Sequence, residues 1–173
     1  MLVMSKGRER ITTTNTKPTG FDTGDGVLSV QLTALNGTGC IVASDHLSRE
    51  GSYIGAAASE TFKDGALGSE NDYTGFGASN LEGLFSVWRQ YNENGQIDPA
   101  KDVLFTQIGE KGVEFYAYSR KGKKGEAAWA AGDEGYVYQC VSDEPQDPRD
   151  RNGFIKNDIA LSVQKRRKFR VAA

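Results

Sequence analysis

Short runs in which every second residue is apolar, each closed by glycine, Asn-Gly or proline, recur along this chain and direct it to a mainly β fold. In 27–35, Leu28, Val30, Leu32 and Ala34 share one face while Ser29, Gln31 and Thr33 share the other. Asn36-Gly37 follows at once and predicts a hairpin returning over 40–43. The segments 103–108 and 113–119, joined by Gly109-Glu110-Lys111-Gly112, read as a second hairpin, and 121–125 as a further turn. The last strands are 136–142 and 154–164, the latter with Ile155, Ile159, Leu161 and Val163 on one face. A helix is predicted only over 80–91, where Ser79-Asn80-Leu81-Glu82 has capping-box spacing and Leu81, Leu84, Phe85, Trp88 and Tyr91 form a stripe. About six strands and one packed α-helix make a β-sandwich or barrel.

Leu, Ile, Val and Phe supply 36 of 173 residues, enough for folding around a thin core. The 21 glycines against 4 prolines point to turns and long glycine-rich loops. Residues 1–20 lack either period and read as a flexible basic N-terminal arm that orders on a partner; 21–164 form a single β domain; 165–173 form a basic C-terminal tail. Within the domain, 45–78 is a 34-residue stretch without usable periodicity, predicted as a long loop. It carries Tyr53, Ile54, Phe62, Leu67, Tyr73 and Phe76. Six large apolar groups are too many for a solvated linker and predict burial against another subunit.

The net charge of −2 conceals +3 over 1–20 (Lys6, Arg8, Arg10 and Lys17 against Glu9) and +5 over 165–170, leaving −10 for 21–164. An acidic body repels phosphate, which argues against specific nucleic-acid binding by the folded part. Catalysis finds few parts. His46 is the single histidine, and Cys40 and Cys140 stand alone. Ser44-Asp45-His46 has triad residue types, but neighbours in an extended chain point to alternating sides and cannot relay a proton. Gly75-Phe76-Gly77-Ala78-Ser79-Asn80 lacks the third glycine of a dinucleotide loop, and Lys121-Gly122-Lys123-Lys124-Gly125 lacks the Gly-Lys-Ser/Thr ending of a phosphate loop. Asp143, Glu144, Asp147 and Asp150 cluster around two prolines without calcium-loop spacing. The expectation is a protein that is not an enzyme and has no cofactor and no metal. There is neither an 18-residue apolar run nor a signal-peptide core, so no membrane partner is expected.

The acidic proline loop followed by Gly153-Phe154-Ile155-Lys156-Asn157-Asp158-Ile159, and the preceding Gly132-Asp133-Glu134-Gly135-Tyr136-Val137-Tyr138, resemble the closing strands of major tail tube proteins of long-tailed, siphovirus-type bacteriophages. Leu81-Glu82-Gly83-Leu84-Phe85-Ser86-Val87-Trp88-Arg89 and Val103-Leu104-Phe105-Thr106 extend the likeness over about 21–164. The resemblance implies a virion protein, made in the host cytoplasm, whose subunits form hexameric rings that stack into the tail tube. Inner sheets line a lumen, a tape-measure protein fills it during assembly, a tail terminator caps it, and DNA passes through on ejection without specific binding. A long loop and terminal arms tie the rings together. In that frame Glu110, Glu114 and Asp158 are candidates to face the lumen, the six apolar loop residues to bridge subunits, and Lys165, Arg166, Arg167, Lys168 and Arg170 to dock on an acidic neighbour. The alternatives are another phage ring protein, a tail terminator or head-tail completion factor, and a ligand-binding β-sandwich presenting Tyr116, Tyr118, Tyr136 and Tyr138 to a sugar or peptide.

Overall fold

A computed structural model describes residues 7–24, 26–65, 72–147 and 153–172. Its elements in chain order are β1 (Glu9–Thr14), β2 (Leu28–Gln31), α1 (Leu32–Asn36), β3 (Ile41–Val42), β4 (Tyr53–Ala57), β5 (Thr61–Gly65), β6 (Asp72–Phe76), β7 (Asn80–Trp88), α2 (Val103–Ile108), β8 (Glu114–Lys121), β9 (Glu134–Ser142) and β10 (Lys156–Ala172). Strand takes 47% of the residues and helix 9%, so the fold is mainly β as the alternation predicts. One open sheet runs β3-β1-β8-β9-β10-β7-β4, with β2 parallel to the end of β10, and β5-β6 form a separate hairpin.

Both faces of this sheet carry a core. On β8, Phe115 and Ala117 enter one cluster with Phe85, Leu104, Ile108, Cys140 and Ile159, while Tyr116 and Tyr118 enter another with Phe21, Val30, Leu35, Trp129 and Phe169. Successive residues of a strand point to opposite sides, so these clusters lie on a first and a second face of the same sheet. The 17-residue strand β10 serves both. Ile159 and Leu161 pack on the first face, a bulge falls between Val163 and Lys165, and Phe169 and Val171 then pack on the second. All four are odd-numbered; the extra residue at the bulge changes which side odd positions occupy.

Several expected elements differ. The segment 80–91 is not a helix: 80–88 is strand β7, paired on one side with β10 and on the other with β4. Its stripe satisfies a helical period, but Gly83, Ser86, Val87 and Trp88 are weak helix formers, and Phe85 and Val87 also alternate into the core. Gly83 is fitted closely, since a Cβ there would lie 3.1 Å from Leu161 Cδ1 and 3.4 Å from Ile54 Cγ1. Conversely 103–108 is the helix α2, not a strand, and buries Leu104 and Ile108 one turn apart. The strand expected over 27–35 stops at Gln31 and turns into α1, and Asn36-Gly37 closes that helix instead of a hairpin. The return strand shrinks to Ile41–Val42 and pairs with β1.

The terminal segments are corrected too. Residues 9–14 of the expected arm form β1, an interior strand between β3 and β8. Thr12, Thr13 and Thr14 are buried there because their hydroxyls have partners. Trp129 Nε1 donates to Thr12 Oγ1 at 2.9 Å, Thr13 Oγ1 donates to Gln107 Oε1 at 2.6 Å, and Thr14 Oγ1 accepts from Thr16 N at 3.1 Å. Residues 165–172 are the second half of β10, not a tail. The region 45–78, expected without structure, holds β4, β5 and β6.

Candidate assembly interface

The β5-β6 hairpin stands off the main sheet. It is closed at its base by Gly77 N donating to Glu60 O at 2.7 Å, and in its register Phe62 lies opposite Gly75. The Phe62 ring rests across Gly75, where a Cβ would collide with it. That contact fixes the ring and still leaves Phe62 58% exposed, with Phe76 at 79%. Of the six apolar candidates, Phe62, Phe76 and the half-exposed Tyr53 are open to a partner. Ile54 is not: it is buried on β4 in the first-face core. Leu67 lies outside the described residues, and Tyr73 is placed on β6 by its backbone alone.

The basic run divides by parity after the bulge. Arg167 turns to the second face, buried, and donates to four backbone carbonyls: Gly20 at 2.5 Å, Phe21 at 2.8 Å, Thr23 at 2.9 Å and Gly26 at 2.9 Å. It ties down the turn preceding β2 and is unavailable for docking. Lys165 Nζ lies 5.5 Å from the Phe21 ring centroid. Arg166, Lys168 and Arg170 turn to the first face, beyond the part covered by α2, and remain exposed. Arg166 stacks over Tyr136 at 4.6 Å, and Arg170 Nε donates to Glu134 Oε1 at 2.6 Å. With Lys121, Tyr138 and residues 54–56 of β4 they line an open groove of about 700 Å³. Tyr116 and Tyr118, the other aromatics of the ligand-platform alternative, are core residues on the opposite face, where burial pushes both phenols up.

A second buried arginine organises the loop 121–133. Arg120 pairs with Asp133 at 2.6 Å and donates to the carbonyls of Lys124, Ala127 and Ala128 at 3.1, 2.8 and 3.1 Å. Burial alone would raise the Asp133 carboxyl. Hydrogen bonds from Lys123, Arg120 and the Ala130 amide outweigh it and hold the group below its ordinary value of 3.8. The Arg167 and Arg120 guanidinium groups therefore serve to hold loops against the sheet.

A search of curated proteins finds no match to the chain. A family model described as phage tail tube protein matches residues 3–173. The chain belongs to the phage tail tube protein family. It is accordingly a structural component of a virion tail, in a family whose role is structural, and its family implies self-assembly into a tube. No helix among the described residues is long and apolar enough to cross a membrane.

In the tail tube subunit the three acidic candidates occupy different settings. Glu114 is exposed at the start of β8 and accepts from Tyr116 Oη at 2.7 Å. Asp158 is half-buried on β10 and accepts from Ser86 Oγ at 2.5 Å. By alternation both belong to the second face, next to first-face Phe115 and Ile159. Glu110 is exposed in the connection between α2 and β8, where its carbonyl accepts from Ser142 Oγ at 2.5 Å. Sequence reasoning read Lys121 only as part of a turn, whereas the fold places it in the groove lining.

Proposed function

We propose that this subunit assembles into hexameric rings that stack to form the tail tube, the conduit through which DNA leaves the virion. A tape-measure protein occupies the lumen during assembly and a tail terminator closes the growing end. The observation that carries the reading is the β5-β6 hairpin, set off from the main sheet with two phenylalanines largely in water. Fully burying one such side chain is worth about 1.5–3 kcal/mol, and a ring repeats the gain at every interface. Self-association of an open sheet also removes edges that a monomer leaves unpaired. On this reading Glu110, Glu114 and Asp158 face the lumen and repel passing phosphates. Tyr53, Phe62 and Phe76 meet neighbouring subunits.

The test is removal of the hairpin between Glu60 and Gly77, whose backbones already meet at its base. A wider excision from residue 51 would delete β4 and its buried Ile54 and unfold the sheet. The expected result is a subunit with unchanged circular dichroism in the sheet region that no longer yields tubes by electron microscopy. Normal tubes from the shortened chain would remove the hairpin from assembly.

A further inference from the structure

Inside the main sheet one strand position stands open, and we infer that it takes an extended acidic segment of another protein, added as a strand along β10. One edge of β10 is paired with β9 from Leu161 to Arg170. Along the other edge β7 reaches only to Leu161, and β2 begins only at Phe169. Among the described residues, 162–168 therefore have a ladder on one side alone, a window of about 23 Å at the usual rise per residue. The ends of the window fix where its backbone points. Ile155 O accepts from Arg89 N on the β7 side, and Val171 N donates to Asp133 O on the β9 side. Counting by alternation forward from Ile155 and back from Val171 to the bulge turns the N–H and C=O of Val163 and Arg166 to the open side.

Charge decides the occupant. The groove over this window is bounded by residues 54–56 of β4 and by Val27, which leads into β2. Its lining carries Lys121, Arg166, Lys168 and Arg170 against Glu134, a net +3. Arg170 is paired with Glu134, and Lys121 lies 3.8 Å from Glu9. Arg166 and Lys168 have no carboxylate partner among the described residues and are exposed on one face, two residues apart. That is the spacing of alternate side chains in a neighbouring strand, so the segment that fits has Asp or Glu at every second position. The Arg166 guanidinium, stacked over Tyr136, is placed to receive a carboxylate. In such an addition main-chain hydrogen bonds give affinity and the alternate side chains give selection. Among the described residues no two carboxylates stand two apart in sequence, which directs the site to a different protein. Nucleic acid also suits a basic groove, but it has no backbone N–H and C=O to complete a ladder with Val163 and Arg166.

The experiment titrates the full chain, below the concentration at which it sediments, into a fluorescein-labelled peptide of alternating Glu and Val read by fluorescence anisotropy at low salt. The peptide has about eight residues, enough to span the window. Saturable binding is expected, with amide hydrogen exchange at Val163 and Arg166 slowed at least tenfold. Arg166→Glu with Lys168→Glu alters two exposed side chains and should weaken binding at least tenfold with circular dichroism unchanged. The same peptide methylated on its backbone nitrogens keeps its charge and loses its donors, so it tests the ladder without altering the protein; it too should bind at least tenfold more weakly. A peptide of equal composition with Glu and Val in separate blocks should do the same. Failure of the alternating peptide to bind overturns the proposal, as does equal binding of the methylated or the blocked peptide, or equal binding by the groove variant. A labelled DNA duplex bound by the unaltered chain, lost in the groove variant and not displaced by the peptide, would reassign the groove to nucleic acid. Self-association lost in the groove variant, with the peptide unbound by the unaltered chain, would give the groove to a second copy. Each of these overturns strand addition by another protein and leaves the tube reading in place.

Discussion

At the scale of single residues, Arg167 and Arg120, two of the three buried arginines among the described residues, hold loops by their guanidinium groups. Arg167 answers four carbonyls between Gly20 and Gly26, and hydrogen bonds to a charged group are stronger than neutral ones. Arg167→Met keeps the aliphatic stem and removes every donor, so unfolding by urea should show a loss of about 3 kcal/mol. A loss under about 1 kcal/mol would mean that water satisfies those carbonyls equally well. The Arg120-Asp133 pair adds a pH signature. The folded carboxyl lies below 3.8, so its stabilisation is complete above the unfolded value and is lost as pH falls below it, through the folded value. The urea midpoint should drop below about pH 4, and Asp133→Asn should flatten that drop while lowering stability at neutral pH. Parallel curves for the two proteins would assign the acid sensitivity elsewhere.

Among the elements, the bulge in β10 decides how the chain closes. Gln164 is the extra residue between pairs Val163-Cys140 and Lys165-Gln139. Deleting it joins those pairs directly and leaves Arg167, Phe169 and Val171 on their present side, so stability should change by no more than about 1 kcal/mol. Inserting one alanine after Gln164 either turns these residues to the opposite face past the bulge or, with the bulge lost, slips them two pairs along β9, and should abolish the cooperative transition in thermal unfolding. Two equally stable variants would show that the bulge can slide. The same element explains what was legible in the sequence. Strands β8, β9 and the first half of β10 alternate visibly because each packs Phe115, Tyr138 or Ile159 against an apolar core. The second half alternates as well, but Lys165 to Lys168 read as a solvated tail because a buried arginine whose two terminal nitrogens donate to carbonyls has no signature in one dimension. Strand β1 escaped for a related reason: its five buried positions are Arg10, Ile11 and three threonines, a run visible to β-propensity but not to apolar periodicity. In β7 the sequence satisfied both periods at once, and pairing with β4 and β10 settled it. The structure leaves the hairpin aromatics Phe62 and Phe76 exposed, whereas Ile54 is buried and was not distinguishable from them without knowing that β4 joins the main sheet.

At the scale of the whole molecule, an acidic body and a basic strand are brought into one folded unit with a formal charge of only −2. Removing the chain after Gln164 would not isolate the basic charges, because Phe169 and Val171 belong to the second-face core. Point changes are the cleaner probe. Glu110→Lys and Glu114→Lys alter exposed side chains, so tubes should still form, while release of dye-labelled DNA from particles carrying them should slow severalfold at low ionic strength. The slowing should fade as salt rises, because the screening length falls from about 10 Å at 0.1 M to about 3 Å at 1 M. Release at the normal rate would place these carboxylates away from the path of the genome.

A strand of 17 residues extends for about 55 Å at the usual rise per residue. β10 is therefore a continuous tie-rod, clasped along its length by β7, β9 and β2 and seated in a separate apolar bed at each end. A pull along its axis meets the clasping hydrogen bonds sideways, so many must give together before the rod slips. Across the sheet the regular pairing of β10 with β9 is interrupted at the bulge at Gln164, where the rod changes sides and bending meets less resistance. The subunit is thereby stiff in tension and able to flex at one joint, a combination suited to a long hollow cable that must bend without opening its wall.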